Sequence, residues 1–281
     1  MKDEYIASMY ARDILKQMGL RIGMRPDQVK EKLTGRYPDE ILMHKVITGI
    51  ALAGYLEYRQ VYLFSKCLIE ELEGSSLDFR IKDLNLPFKS FYMDLKNYSG
   101  TLEGMKVLGV FVRDVGEPDY CICFHVLLLE SDGGIECFRG CMSYGNEKTL
   151  EEQISEIYGG YTGEDSLNRL FLTLMAYISS DEPDVEDKGK QYYTIKRRNG
   201  TIPTSVRFWD VGYRYFTERK AKPSVSTGNP VSHASPRPHI RRGHWHTYRC
   251  GPGRAEVKVR WIREQKIGKG QIVDVLRKEK I

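Results

Sequence analysis

The sequence predicts an α+β fold. N-terminal helices should pack on an antiparallel sheet of about four or more strands, with a basic β segment near the C-terminus. Three observations point there. Apolar residues recur at helical spacing up to about residue 73. From Phe91 the pattern changes to apolar runs of strand length, parted by turn signals. The last third then gathers histidine, tryptophan and arginine. The chain has 281 residues, 41% hydrophobic and 29% charged, as in a soluble globular protein.

Ile6, Met9, Tyr10, Ile14, Leu15 and Met18 mark a first helix. A second starts at Pro26, a residue suited to the first helical turn. Asp39 to Leu72 reads as a longer helical stretch interrupted near Gly54 or Tyr58. Its apolar side runs from Ile41 and Leu42 to Val61, Tyr62, Phe64, Leu68 and Leu72. Strands are expected at Phe91–Leu95, Met105–Val112, Tyr120–Leu129 and Gly134–Ser143, forming an antiparallel meander. Helices return at Thr149–Tyr158 and Ser166–Ile178. Asp181 to about Thr204 is charged and reads as a loop. Val206–Tyr215 is short and aromatic, Val257–Ile262 alternates as a strand should, and Ile272–Leu276 suggests a short strand in the tail.

The chain then divides into a helical part over 1–75, an α+β core over 76–218, a linker over 219–235 and a basic segment over 236–281. The linker is rich in Lys, Ser, Pro and Gly. The last strand is expected to join the core sheet. No apolar run reaches the roughly 18 residues of a membrane span, and Met1-Lys-Asp-Glu4 is no export signal, so a cytoplasmic protein is expected.

Net charge is only +5, but base is concentrated late. Between Arg237 and Arg263 stand eight Lys or Arg and one acid, Glu256. The same stretch holds His239, His244, His246, Trp245 and Trp261. These groups stack, donate hydrogen bonds and exchange protons near neutral pH. They suit contact with RNA or a partner through Arg237, His239, Arg241, Arg242, His244, Trp245, His246, Tyr248, Arg249, Arg260 and Trp261. On a strand His244 and His246 share a face, which makes them weak candidates for acid–base catalysis of phosphodiester cleavage without metal. A structural role for these histidines and Trp245 in a turn-rich corner is the plainer alternative. Asp181-Glu-Pro-Asp184 could hold Mg²⁺ or pair with the basic stretch. Nucleotide-loop, nucleophile-elbow, zinc-protease and calcium-loop motifs are all missing, so we expect a binding protein more than an enzyme, with no cofactor.

Cys121, Cys123, Cys137 and Cys141 flank the turn signal Asp132-Gly133-Gly134. A two-residue loop would set Cys123 opposite Met142 and Cys141 opposite Phe124, sending the two cysteine pairs to opposite faces. A register one residue away would reverse this. Reduced core thiols are preferred over a zinc site, and no metal is expected.

Some of these residues carry a resemblance. Arg237-Pro-His-Ile-Arg-Arg-Gly-His-Trp-His246, then Tyr248, a Gly-rich turn and Val257-Lys-Val-Arg-Trp261, resembles the C-terminal signature of a type V-A anti-CRISPR family. Looser similarities lie in Tyr55-Leu-Glu-Tyr-Arg59 with Val61–Phe64, in Leu86–Asp94, and in the helix ending at Leu174–Asp184. The resemblance implies a protein of mobile genetic elements that binds the nascent N-terminal polypeptide of a type V-A CRISPR effector nuclease. Translation-dependent loss of the effector's mRNA would follow, with the ribosome or RNA as further partners and no membrane. An aromatic helix beside a sheet edge suits an extended peptide. The contacts this implies are Tyr55, Tyr58, Arg59, Tyr62, Phe91 and Tyr92. The alternative is a metal-independent ribonuclease or RNA-binding protein that uses the C-terminal stretch.

Overall fold

The computed structural model describes residues 5–116, 121–143, 147–158, 163–197, 200–214 and 239–267. The expected linker over 219–235, Arg237 and the tail strand at 272–276 lie outside them. Helix α1 spans Ile6–Gln17, α2 Pro26–Leu33 and α3 Asp39–Tyr58. Strand β1, Gln60–Phe64, precedes α4, Lys66–Leu72. Then come β2 (Ser90–Asp94), β3 (Thr101–Leu102), β4 (Met105–Asp114), β5 (Cys121–Leu129) and β6 (Ile135–Ser143). Helices α5 (Leu150–Tyr158) and α6 (Gly163–Ser179) lead to β7 (Val185–Arg197) and β8 (Gly200–Val211). The C-terminal part holds β9 (His239–Arg241), β10 (His244–Cys250), β11 (Glu256–Ile262) and β12 (Gln265–Ile267).

Among the described residues the main sheet runs β6-β5-β4-β2-β1-β8-β7, with β3 beside β4. It is mixed rather than antiparallel throughout, because β1 lies parallel to both β2 and β8. The sequence pattern suggests helix at Val61–Phe64, and the structure corrects this to strand. Arg59 ends α3 in the left-handed region (φ 51°), its N–H donating to Tyr55 O at 2.7 Å. The β-favouring run Gln-Val-Tyr-Leu-Phe follows, and Ser65 Oγ then caps α4 by accepting from Leu68 N.

Both faces of the sheet are covered. Val61, Tyr92, Phe111 and Phe208 point to the layer built by α1, α2 and α3. Tyr62, Phe64, Phe91, Met93, Val110 and Val112 point to the layer of α4, α5 and α6. Double coverage explains why β4 and β5 read as continuous apolar runs. It also explains α3, whose residues Val46 to Leu56 are all buried. A Cβ at Gly49 of α3 would lie 2.8 Å from Val29 Cγ1 of α2, so glycine allows this close approach. His125 on β5 ties the layers together, with Tyr10 Oη 3.1 Å from Nε2 and Thr48 Oγ1 3.2 Å from Nδ1. Burial, helped by Arg139 and Lys45, lowers its pKa to about 3, so the ring stays neutral near pH 7.

Two further expectations are corrected. The charged stretch read as a loop at 181–204 forms most of the β7–β8 hairpin. Tyr193 joins Val206 and Phe208 in the core and Ile195 is buried on the same face, while Asp187, Lys188 and Lys190 are exposed on an edge strand. The β5–β6 turn also holds three residues, not two. Glu130 N donates to Gly134 O at 2.9 Å, Gly133 N donates to Glu130 O at 3.1 Å, and Gly133 takes φ 90°. That left-handed glycine is a bulge residue, and it shifts the register by one. Cys123 therefore faces Cys141, and Cys121, Cys123, Cys137 and Cys141 all share one face.

Candidate functional site

The basic C-terminal segment folds as a hairpin apart from the main sheet. Strands β10 and β11 pair antiparallel, with Trp245 opposite Trp261, His246 opposite Arg260 and Tyr248 opposite Lys258. The expectation that β11 would join the core sheet is thus corrected: it pairs with β10 alone and docks mainly through side chains. Trp261 is 7% exposed and meets Trp245 edge-on, their centroids 5.0 Å apart. Trp245 also contacts Phe79 edge-on at 5.4 Å. The indole N–H groups reach Ser75 Oγ (3.2 Å) and Glu71 Oε1 (3.3 Å). Gly243 lies against this anchor, since a Cβ there would be 2.4 Å from Trp261 Cζ2. The motif Arg-Arg-Gly-His-Trp thus has a packing reason for its glycine.

The acidic turn after α6 meets the outer face of the hairpin. Asp181 N donates to Val259 O at 2.8 Å. Tyr248 Oη donates to Asp181, and Lys258 Nζ lies 3.2 Å from Asp181 Oδ1. These two donors, Tyr248 first, hold the Asp181 carboxyl below its usual range, and the Tyr248 phenol is raised in return. Arg260 pairs with Glu182. Asp184, 3% exposed, anchors two cations: Arg214 Nε is 3.3 Å from Oδ1 and Arg263 Nη2 is 3.5 Å from Oδ2. The contact of Arg214 Nε with Oδ1 is an ion contact, for Oδ1 makes no hydrogen bond of good geometry, while Arg214 N donates to Asp184 Oδ2 at 2.8 Å. A cleft of about 550 Å³ lies here, lined by Tyr177, Arg214, Arg260, Arg263 and Gln265 among others. Of the two roles open to the acidic turn, the structure shows the pairing with the basic stretch.

The surplus of base counted along the sequence is therefore partly cancelled in space. Among the described residues no carboxylate pairs with Arg242, Arg249 or Arg254, which are exposed. His246 is exposed and stacks on Tyr248, with rings 15° apart and centroids 5.9 Å apart. The Nε2 of His244 is 3.1 Å from Arg241 Nη2, and Nδ1 is 3.2 Å from Arg242 O. Both nitrogens thereby contact the segment just before β10. The guanidinium can only donate and the carbonyl can only accept. His239 lies on β9. Among the described residues no group of three or more His, Cys, Asp or Glu could hold a metal ion.

The residues expected to contact a peptide separate into two sets. Tyr55, Tyr62, Phe91 and Tyr92 are each at most 2% exposed, so their rings are spent inside the fold. Tyr58 and Arg59 stay at the rim. They border a groove of about 600 Å³ with Gln60, Lys190, Tyr192 and Arg207. Tyr192 is 73% exposed on the edge strand β7. Arg207 lies over the Trp209 ring, 5.1 Å from its centroid, and pairs with Asp187. A second cleft, of about 810 Å³, opens on the other side of β7 around Ile195, Leu15, Leu20, Ile22, Lys16 and Arg21. Sequence reasoning missed Tyr192 and Lys190, because their segment read as a loop. The one available signal was the alternation of Tyr193 and Ile195 within it.

Residues 62–265 match the model of the AcrVA2-like family, described as the anti-CRISPR type V subtype A2 family. The chain belongs to this family. The match in this anti-CRISPR protein runs from β1 to the start of β12, so it includes the whole main sheet except the first residues of β1, and the tryptophan-anchored hairpin. The fold is also similar to a solved structure titled "Crystal structure of AcrVA2", with a TM-score of 0.55 and 17% identity over 92% of this chain and 94% of that one. No curated protein matches this anti-CRISPR chain. The helices α1, α2 and α3 precede the matched residues, but the fold comparison spans nearly the full length.

Proposed function

We propose that this anti-CRISPR protein binds the nascent N-terminal polypeptide of a type V-A CRISPR effector nuclease and triggers translation-dependent loss of its mRNA. Family membership supports an effector of this type as the target. The observation that carries the peptide reading is the β7 edge. Among the described residues β7 pairs on one side only, with β8, and it is 13 residues long. A nascent chain is extended and can add as a strand to such an edge, using main-chain hydrogen bonds for affinity. Its alternate side chains would then meet the groove at Tyr58, Arg59 and Tyr192 and the cleft at Ile195.

The exposed groups of the C-terminal segment that the acidic turn does not engage would serve ribosomal or messenger RNA. Arg242, Arg249 and Arg254 would meet phosphates, while the His246–Tyr248 stack offers a ring face to a base. Trp245 and Trp261 are taken by the core and serve to hold the hairpin. Translation places this work in the cytoplasm. The ribonuclease alternative is weakened by His244, both of whose nitrogens are engaged.

The test is a reporter fused behind the effector's first codons, with transcript measured in cells with and without the protein. A fall in transcript that needs translation of those codons is expected. An unchanged transcript overturns the proposal. Cleavage of labelled RNA by the purified protein without ribosomes would favour the ribonuclease.

A further inference from the structure

The corrected β5–β6 register has a chemical consequence. In this hairpin the Glu130–Gly134 pair is hydrogen-bonded, so hydrogen-bonded pairs recur at even positions of β5. Cys123 and Cys141 are directly opposed at an odd position, hence at a non-hydrogen-bonded site. There Cα atoms of facing residues approach to about 4.5 Å and side chains come closest. A disulfide spans Cα separations of about 4.4 to 6.8 Å. The two thiols differ in access: Cys141 is exposed and Cys123 is 2% exposed. A third, Cys121, lies two residues along on the same face, near enough for its charge to influence Cys141.

We propose that Cys123 and Cys141 form an oxidative modification site that closes into a cross-strand disulfide in the presence of a hydroperoxide. The exposed Cys141 thiolate attacks a peroxide oxygen. A sulfur–oxygen bond forms, the oxygen–oxygen bond breaks, and hydroxide leaves and takes a proton. The Cys123 sulfur then attacks the sulfenic acid, the sulfur–sulfur bond forms and water departs. Two thiols and one hydrogen peroxide thus give one disulfide and two waters. Burial and Cys121 push the Cys141 thiol up, which lowers its thiolate fraction and slows this first step. The bond would tie β6, one edge of the sheet, covalently to β5.

The experiment uses the full chain treated with hydrogen peroxide, alkylated and digested with trypsin without reductant. Cleavage after Arg113, Arg139 and Lys148 leaves Cys121, Cys123 and Cys137 on one peptide and Cys141 on the next. A linked pair of these peptides that separates on reduction is expected in most molecules. Cys141→Ser should abolish the pair and Cys123→Ser should reduce it at least tenfold, whereas Cys121→Ser and Cys137→Ser should keep it. Thiol counts on the untreated variants, taken folded and in denaturant, verify that each still folds. Peroxide-treated wild type showing only sulfinic or sulfonic acid at Cys141 would overturn the proposal. So would a linked pair that survives in Cys123→Ser but is lost in Cys121→Ser.

Discussion

The β10–β11 and β7–β8 hairpins are both basic and both aromatic, yet they are held in different ways. The C-terminal hairpin has its own two-stranded ladder and is fastened by two tryptophans that reach into the core. Its outer charges Lys258 and Arg260 are answered by acids 77 and 78 residues earlier in the chain. The β7–β8 hairpin belongs to the main sheet, shares its core face through Tyr193 and Val206, and leaves β7 open on one side. Local composition draws attention to the first hairpin. The open backbone makes the second the better place for an extended partner. A dense cluster of functional-looking side chains can thus be mostly anchoring, while a stretch that reads as a loop holds the accessible edge.

Truncating the anchor should break the first hairpin and spare the second. Trp261→Ala removes a large buried ring, and changes of this kind cost about 3–5 kcal/mol. Thermal unfolding should show that loss, and amide exchange should rise first in β10 and β11. Asp184→Asn strips the buried charge that Arg214 and Arg263 share. Because Arg214 and Arg263 are themselves partly exposed, the expected cost is about 1–3 kcal/mol, measurable by urea denaturation. Gly243→Ala pushes a methyl group into the Trp261 ring and should cost about 1–3 kcal/mol by overpacking, read by the same titration.

Acid should act on the turn that clasps the first hairpin. The Asp181 carboxyl is lowered in the folded state by Tyr248 and Lys258, so the unfolded chain takes up its proton first. Its contribution is full above the ordinary aspartate range and is lost as pH falls through the lowered value. Asp181→Asn should flatten the pH dependence of unfolding below about pH 4, the ordinary aspartate value. Tyr192→Ala should have the smallest effect on stability, within about 0.5 kcal/mol, because the ring is exposed. Peptide affinity should nevertheless fall, and that contrast separates a binding edge from a structural anchor.

Much of the fold is legible in the sequence. Helical periodicity and Pro26 locate α1 and α2, and apolar runs locate β4, β5 and β6. The double coverage of the sheet hides the rest. Tyr62 and Phe64 fit a helical stripe and a buried strand equally well, so β1 is lost inside an apolar stretch. Strand β7 is missed because its charges belong to a solvated edge and, among the described residues, only Tyr193 and Ile195 of it are buried. The cysteine register turns on one backbone angle, at Gly133, which two-residue and three-residue turns both allow a glycine to adopt. At the C-terminal site the residues were visible, but their roles were not. Burial assigns Trp245 and Trp261 to the core, and Asp181, Glu182 and Asp184 neutralise cations that look unopposed along the chain.

The central claim is that the β7 edge receives the nascent polypeptide. Amide hydrogen exchange of the full chain, with and without a synthetic peptide of the effector's first residues, tests it most directly. Slower exchange is predicted in β7 around Tyr192, with β10 and β11 unchanged. Protection of the β10–β11 hairpin with β7 unaffected, despite peptide binding, would contradict it.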